Sequence, residues 1–166
     1  MRPGVSRKRH AAQDRGGAAS EKLSNYLAGG PSRPAPDDGP RGVLPDTCAW
    51  IDYFRPGDGA LASALDKALR HGSVYTCGPV VFELVQGVRT ESEKSALLEA
   101  LGSLEYCEID PRIWITAGGL ASVLRRRGRT LPFSDTLIAA VAIERGLALL
   151  TDDKHFRDIP GLTLLK

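Results

Sequence analysis

From residue 43 onward, short apolar runs alternate with longer segments whose apolar side chains recur at helical spacing. The short runs predict β-strands and the longer segments predict helices. Such alternation is typical of a mainly parallel sheet covered by helices, so the pattern predicts an α/β fold. The predicted strands are 43–44, 74–76, 106–109, 147–150 and 162–165, and the predicted helices begin near residues 47, 61, 79, 90, 110 and 134.

Local signals define several of these helices. The segment 90–93 (Thr-Glu-Ser-Glu) has the spacing of a capping box, and Asp110 before a proline predicts another helix start. Gly118 and Gly119 weaken the helix that contains them by about 1 kcal/mol each, and we expect them to mark close packing. The segment 137–143 is apolar on all sides, which predicts a central, buried helix.

Four acidic residues stand where the pattern ends a strand or begins a helix. In open α/β sheets, ligands gather at the carboxyl ends of the strands, so carboxylates at such points can converge on one divalent cation. The four acids and their settings are Asp46 in VLPDTCAWIDYF, Glu83 in PVVFELVQGVR, Asp135 in LPFSDTLIAA and Asp153 in LLTDDKHF.

The four motifs, in this order, resemble those of the PIN-domain ribonucleases, and most closely the VapC-type toxins of prokaryotic toxin–antitoxin pairs. The resemblance covers roughly residues 43–166 and implies a three-layer α/β/α PIN-like fold with a mainly parallel central sheet. It implies a metal-dependent endoribonuclease that cleaves cellular RNA, with a cognate VapB-like antitoxin and a homodimeric state as expected partners. Catalysis and metal binding are then assigned to Asp46, Glu83, Asp135 and Asp153. Oxygen-only ligands of this kind suit Mg²⁺, with Mn²⁺ as the alternative, rather than Zn²⁺.

Three of the acids also have structural interpretations. Asp46 can cap the helix that follows it. Glu83 lies within an apolar helix, where a bare carboxylate is costly to bury, and Arg89 is a candidate structural partner. Asp135 falls in the first turn of a helix, where the helix dipole stabilises negative charge, and Ser134 is the predicted N-cap.

The fourth motif contains two candidate acids. The family pattern of threonine, any residue, then aspartate selects Asp153, and we expect Asp152 to cap the following turn, with a supporting contact to the metal as the alternative. Thr151 is expected to support the site by hydrogen bonding, and the resemblance gives Thr47 that role beside the first acid. His155 has two interpretations, a general base or a solvent-facing side chain, and the second is favoured because the sequence contains no other sign of a His-centred site.

Two further features remain open in the sequence. Arginines 125, 126, 127 and 129 form the dense basic run of the segment after residue 42, and they either end a helix favourably or hold a phosphate beside the site. The aromatic residues Trp50, Tyr53 and Phe54 belong either to the core or to a groove of the kind that the antitoxin fills in VapC-type proteins.

The first 42 residues have a different composition from the rest. They contain seven Gly and five Pro with few large apolar side chains, which predicts a disordered extension. This segment holds eight Lys/Arg and four Asp/Glu, while residues 43–166 hold 14 basic and 16 acidic side chains, so the two parts carry +4 and −2. Its basic side chains either contact RNA or are merely solvated, and the second is favoured.

The first 42 residues also have a second interpretation, that they are not part of the native protein. PIN-type chains usually begin a few residues before the first aspartate, and a valine codon GTG can start translation. Val43 is therefore a candidate first residue.

The composition also excludes some classes of protein. Residues 43–166 are not a general cationic binder of nucleic acid, so RNA must be attracted locally or through a metal. No apolar run approaches the roughly 20 residues of a membrane span, and the N-terminus lacks the apolar stretch of a secretory signal. The three cysteines lack metal-type spacing and are interpreted as small buried residues in a reducing compartment, so we expect a cytoplasmic protein without membrane contact.

Two other functions fit parts of the pattern. The first is a catalytically inactive PIN-like RNA-binding module, which four intact acids argue against. The second is a phosphotransferase or phosphatase with Asp46 as nucleophile. Haloacid-dehalogenase-like enzymes have a second Asp two residues later, where this chain has Cys48.

Overall fold

A computed structural model describes residues 39–57, 59–71, 73–157 and 159–165. Its strands are β1 (Val43–Pro45), β2 (Tyr75–Cys77), β3 (Glu105–Cys107), β4 (Ala148–Leu150) and β5 (Thr163–Leu164). Its helices are α1 (Thr47–Phe54), α2 (Ala60–Arg70), α3 (Gly78–Gly87), α4 (Glu91–Gly102), α5 (Pro111–Arg126) and α6 (Phe133–Arg145), with a 3₁₀ turn at Lys154–Phe156. Residues 1–38 of the predicted disordered extension lie outside the described residues, so their disorder stays a prediction.

All the strand pairings in the described residues are parallel. Strand β4 pairs with β1 on one side and β5 on the other, and β2 pairs with β3. A single parallel bridge between Val43 and Val74 connects the two groups of strands. Parallel neighbours need crossover connections, which the helices supply. The predicted α/β class and the mainly parallel sheet are confirmed.

The helix starts follow from capping groups near them in sequence. The Thr90 hydroxyl accepts from the backbone N–H of Glu93, and the Glu93 carboxylate accepts in turn from the Thr90 backbone, so the predicted capping box is present. Asp110 accepts from the backbone N–H groups of Arg112 and Ile113 at the start of α5. Gly146 ends α6 with φ 65°, a left-handed conformation in which glycine carries no side-chain penalty.

Helix α6 lies at the centre of the core, as the apolar run predicted. Its residues from Thr136 to Ile143 are all buried. Helix α5 packs along it through Ile113, Ala117 and Leu120, which are buried on one face of α5. At one end of this helix pair, Arg145 in the last turn of α6 forms an ion pair with Asp110, the N-cap of α5, at 3.2 Å. The acid in the first turn of α6 is therefore carried by a helix whose following residues are buried in the core.

Two local expectations are wrong. Gly118 and Gly119 lie on an exposed part of α5, and an added Cβ at either position would meet only open space, so they do not mark close packing. Ser134 is not the N-cap of α6, because the helix begins at Phe133 and its cap residue is Pro132. The Pro132 carbonyl accepts from both the backbone N–H and the hydroxyl of Thr136, which draws the helix start toward the proline.

The cysteines are free thiols. Cys77 and Cys107 are buried, and Cys48 is half-buried. Within the described residues, no helix is both long enough and apolar enough to cross a membrane.

Candidate active site

The first acid, Asp46, lies between β1 and α1, at the carboxyl end of the strand. Its side chain is 7% exposed. One carboxylate oxygen accepts from the Thr47 backbone N–H at 2.8 Å, which caps α1. The other accepts from the Thr151 hydroxyl at 2.9 Å and from the Cys48 thiol at 3.4 Å. Asp46 is therefore a helix cap and also part of a buried polar cluster.

The pKa of Asp46 is raised above its ordinary value. Burial is the largest cause, and the nearby negative charge of Glu83 adds to it. Hydrogen bonds from Thr151, Thr47 and Cys48 act in the opposite direction because they favour the charged form. The donors around Asp46 thus oppose the cost of keeping a carboxylate away from water.

The second acid, Glu83, is held by α3 at the same edge of the sheet. Its Oε2 accepts a close hydrogen bond from the hydroxyl of Thr47, which belongs to α1. Thr47 thus supports two acids, Asp46 through its backbone N–H and Glu83 through its side chain. The residue bonded to Glu83 is therefore Thr47 rather than Arg89, the partner considered from sequence. The Arg89 backbone N–H donates to Glu93 at the start of α4.

The third acid, Asp135, lies in the first turn of α6 and is half-buried. The Ser134 hydroxyl lies 3.5 Å from its Oδ1, at the limit of a hydrogen bond. The pKa of Asp135 is raised to about 6, by burial first and then by the charges of Asp46, Glu83 and Asp153. Both causes disfavour the charged form of the carboxyl group.

The fourth acid, Asp153, caps the 3₁₀ turn Lys154–Phe156. Its Oδ1 accepts from the His155 backbone N–H at 2.8 Å. The expectation that Asp152 caps this turn is wrong, because Asp153 fills that position while Asp152 is exposed. The Thr151 hydroxyl, which donates to Asp46, also accepts from the Asp153 backbone N–H at 3.1 Å. Thr151 therefore connects the first and fourth acids.

His155 is exposed but does not stand alone. Its Nδ1 lies 3.2 Å from Asp153 Oδ1, and its side chain is 64% exposed. A nitrogen of His155 and carboxylate oxygens of Asp135 and Asp153 all lie within 4.8 Å of one another. The sequence interpretation of a solvent-facing side chain is correct for exposure, but it missed this cluster. The available signal was the histidine two residues after the fourth acid.

Cys48 is a second residue of the site that sequence reasoning missed. Its sulfur lies 3.4 Å from the Thr151 hydroxyl and donates to Asp46. Burial, above all, raises the pKa of the Cys48 thiol to about 12, so it stays protonated and acts as a donor. The signal in the sequence was the spacing Asp-x-Cys, which turns the thiol back toward the carboxylate in the first turn of a helix.

The arginine run divides into different environments. Arg129 donates to the carbonyls of Arg157 and His155, both at 3.1 Å, and so holds the chain after the fourth acid. Arg126 donates to Ser122 one turn back along α5. Arg125 and Arg127 are exposed at the end of that helix. Arg126 and Arg129 therefore make contacts within the protein. A contact between Arg125 or Arg127 and a phosphate stays a prediction.

A groove of about 680 Å³ opens beside Thr47 and Glu83, between α1, α3 and α4. Phe54, at the end of α1, is 51% exposed there, whereas Trp50 is only 2% exposed in the core. Trp50 thus belongs to the core, whereas Phe54, on the same helix, belongs to the groove. The apolar residues that line the groove are Ile51, Phe54, Leu84, Val88, Ala96 and Leu97.

Within the described residues, ligand atoms of Asp135, Asp153 and His155 lie within 4.8 Å of one another, and Asp46 and Glu83 lie outside this group. The charges of Asp46, Glu83 and Asp153 nevertheless act on Asp135 at one end of the sheet, and each of the four acids comes from a different element. Their donor atoms are carboxylate oxygens, the ligands preferred by Mg²⁺ and Mn²⁺. Burial, followed by the charges of Asp46, Glu83 and Asp153, raises the pKa of Asp135, and a divalent cation would favour its charged form. The arrangement consequently fits a divalent metal site and the hydrolysis of a phosphodiester.

Comparisons with known proteins agree with this geometry. A family model described as "PIN domain" matches residues 43–162. Ribonuclease VapC19 of Mycobacterium tuberculosis is 35% identical over 121 residues, which cover 72% of this chain and 95% of the relative. Ribonuclease VapC11 of the same species is 29% identical over 128 residues, which cover 75% and 96%.

Solved structures share the fold. VapBC-5 from Mycobacterium tuberculosis, described as a member of the VapBC family of toxin-antitoxin systems, matches with a TM-score of 0.56 and 26% identity, covering 75% of this chain and 94% of its own. VapBC-1 from nontypeable Haemophilus influenzae matches with a TM-score of 0.64 and 20% identity, covering 75% and 96%.

Proposed function

The chain belongs to the PIN-domain family, and we propose that it is a VapC-type ribonuclease, the toxin of a toxin–antitoxin pair. Its substrate is cellular RNA, so the proposed activity takes place in the cytoplasm. The observation that carries this proposal is the gathering of Asp46, Glu83, Asp135 and Asp153, whose charges, after burial, raise the pKa of Asp135 to about 6. Such a site is suited to a reaction at a phosphodiester rather than to binding RNA alone, because uncompensated carboxylates repel a phosphate unless a cation lies between them.

Asp46, Glu83, Asp135 and Asp153 would hold Mg²⁺ or Mn²⁺. When bound, the cation supplies positive charge that offsets the charge of the reacting phosphate and lowers the pKa of a water molecule. The other contributions to catalysis come from the side chains of the protein. Carboxylates that are fixed by the fold orient the reacting groups without reorganising during the reaction.

Two threonines keep these carboxylates oriented. Thr47 donates to Asp46 from its backbone and to Glu83 from its hydroxyl. Thr151 donates to Asp46 and accepts from the backbone of Asp153. With the thiol of Cys48, these groups leave Asp46 few directions in which to turn, so its charge is aimed into the site.

A cleavage assay tests the proposal. The purified protein is incubated with RNA in Mg²⁺ or Mn²⁺, with and without EDTA, beside an Asp46→Asn variant that keeps the shape of the side chain. Cleavage that EDTA abolishes and that the variant lacks is the expected result. Retention of RNA without cleavage would instead support the inactive RNA-binding module, and release of phosphate from small esters would support a phosphatase.

The groove beside the site gives the proposed antitoxin a place to bind. Its apolar lining, with Phe54 exposed, is suited to an amphipathic segment, and Arg55 and Arg89 at the groove can pair with acidic side chains of that segment. A segment bound there would lie against Thr47 and would cover Glu83, the one of the four acids that lines the groove. Expression of the chain alone should arrest growth, while co-expression of the adjacent gene product should restore it. A harmless chain with all four acids intact would remove the main support for the toxin assignment.

A homodimer is the expected assembly. Trp114 and Phe133 stack with ring centroids 6.0 Å apart and are 48% and 71% exposed, so they present apolar surface that a second copy can cover. Light scattering on the protein as it elutes from a size-exclusion column measures the mass directly, and a monomer at micromolar concentration would contradict this expectation.

Mapping of the new RNA 5′ ends that appear after the protein is expressed would identify the substrate.

A further inference from the structure

One residue beside the proposed metal site differs in chemistry from the four acids. His155 projects from the 3₁₀ turn, and its Nδ1 lies 3.2 Å from Asp153 Oδ1. Two ligands at about 2.1 Å from one ion, on perpendicular axes, lie roughly 3 Å apart. The spacing between Nδ1 and Oδ1, which fits an ion pair in the metal-free protein, is also that of neighbouring ligands. One ligand atom from each of His155, Asp153 and Asp135 lies within 4.8 Å of the other two.

The backbone that carries His155 is held from two sides. Arg129 donates to the carbonyls of His155 and Arg157, and a charged donor with two bonds fixes both position and orientation. The next side chain, Phe156, is 1% exposed and anchors the turn in the core. The ring is thus exposed to solvent on a turn with little freedom, which is a favourable arrangement for a ligand that must be reached by an ion.

We propose that His155 supplies a nitrogen ligand to the cation held by Asp135 and Asp153, and that the site consequently selects Mn²⁺ over Mg²⁺. Mg²⁺ and Mn²⁺ both accept carboxylate oxygens, and Mg²⁺ is bound almost wholly by oxygen. Imidazole is a ligand of transition metals, so Mn²⁺, the transition metal of the two, should gain more than Mg²⁺ from an added nitrogen. This inference rests on the proposed function, because it concerns an added ligand of the same site.

Three proteins test the proposal: the wild type, His155→Asn and His71→Ala. Asparagine keeps a polar side chain with an amide N–H that can contact Asp153, but it offers no imidazole nitrogen. His71 is an exposed histidine at the end of α2, outside the group of Asp135, Asp153 and His155, and its replacement serves as the control for loss of a histidine. The substituted side chains are exposed, so thermal unfolding of all three metal-free proteins should be similar.

Binding of Mn²⁺ and Mg²⁺ is measured by calorimetric titration, and pulsed electron paramagnetic resonance of the Mn²⁺ complex detects coupling to ¹⁴N. The wild type and His71→Ala should prefer Mn²⁺ and show ¹⁴N modulation. His155→Asn should lose the modulation and bind Mn²⁺ at least about tenfold more weakly, with Mg²⁺ affinity changed less than about threefold.

The inference is overturned if Mn²⁺ does not bind, if the wild type binds it without ¹⁴N modulation, or if His155→Asn keeps both the modulation and the preference for Mn²⁺. RNA cleavage measured on the same samples separates the two proposals. EDTA-sensitive cleavage without ¹⁴N modulation would support the proposed ribonuclease and contradict the histidine ligand. Modulation without any cleavage would support the histidine ligand and contradict the proposed ribonuclease.

Discussion

Replacing Asp135 by Asn should abolish RNA cleavage and at the same time stabilise the metal-free protein at neutral pH. The substitution keeps the shape of the side chain and removes one negative charge from the four acids. In the folded protein the pKa of Asp135 is raised to about 6, by burial first and then by Asp46, Glu83 and Asp153. In the unfolded chain the group titrates near its ordinary value of about 3.9.

The sign of the effect follows from these two pKa values. Below about pH 4, Asp135 is protonated in both states and its ionisation has no effect on stability. Between about pH 4 and pH 6 the unfolded chain loses its proton first, so the free energy of unfolding falls as the pH rises. Above about pH 6 the loss is complete. Asparagine cannot ionise, so this part of the pH dependence should be absent from the variant.

The size of the gain can be worked from the same shift. A change of about two pKa units corresponds to about 3 kcal/mol, and the partial solvent access of Asp135 screens the charges, which reduces this to about 1–2 kcal/mol. Urea unfolding in EDTA at several pH values between 4 and 7 measures it. The curves of the two proteins should coincide near pH 4 and separate by pH 7.

Asp152→Asn is the matched control, because it is the same substitution at an exposed acid of a neighbouring loop, and it should behave as wild type. Added Mn²⁺ should stabilise the wild type and leave Asp135→Asn almost unchanged, since a ligand stabilises only the state that binds it. A variant that is equally stable or less stable than wild type at pH 7 in EDTA would refute the reasoning, because the cost attributed to crowded carboxylates would not exist.

Three further outcomes are expected. Asp153→Asn should slow cleavage more than Asp152→Asn, because Asp153 caps the turn inside the acid cluster; side-by-side rates with the opposite order would show that the fourth ligand is misassigned. Thr151→Val should slow cleavage about 10–100-fold at limiting metal, by releasing Asp46, while Thr151→Ser, which keeps the hydroxyl, should stay near wild type. Phe54→Asp should leave cleavage intact and weaken antitoxin binding by more than about tenfold in a pull-down titration; unchanged binding would exclude the groove as the site.

The elements of the fold could be predicted because their signals are local. The capping box at residues 90–93 and the uniformly apolar segment 137–143 each contain within one helix the information that defines it. The predicted start of α6 was wrong because Ser134 and Pro132 are both candidates for the N-cap position. A serine is a good cap in general, yet the Pro132 carbonyl receives two bonds from Thr136, and the helix begins one residue earlier.

The support around the acids could not be predicted, because it depends on residues far apart in the chain. Thr151 is 105 positions from Asp46, and Thr47 is 36 positions from Glu83. Nothing local says which of several threonines will donate to which carboxylate. The same holds for Arg129, whose bonds to the turn after Asp153 exist only once α5 has packed on the core.

Hydrogen bonding is distributed unevenly among the acids, and this explains why Asp135 is the sensitive position. Asp46 accepts from a backbone N–H, a hydroxyl and a thiol, and Glu83 accepts from the Thr47 hydroxyl. Asp153 accepts from the backbone of its own turn. Asp135 has only the Ser134 hydroxyl at 3.5 Å, so little within the described residues offsets its burial and its three acidic neighbours. In the proposed ribonuclease, the cation would therefore offset at Asp135 the charge that hydrogen bonds offset at the other acids, and folding and metal binding should be coupled most strongly through this one side chain.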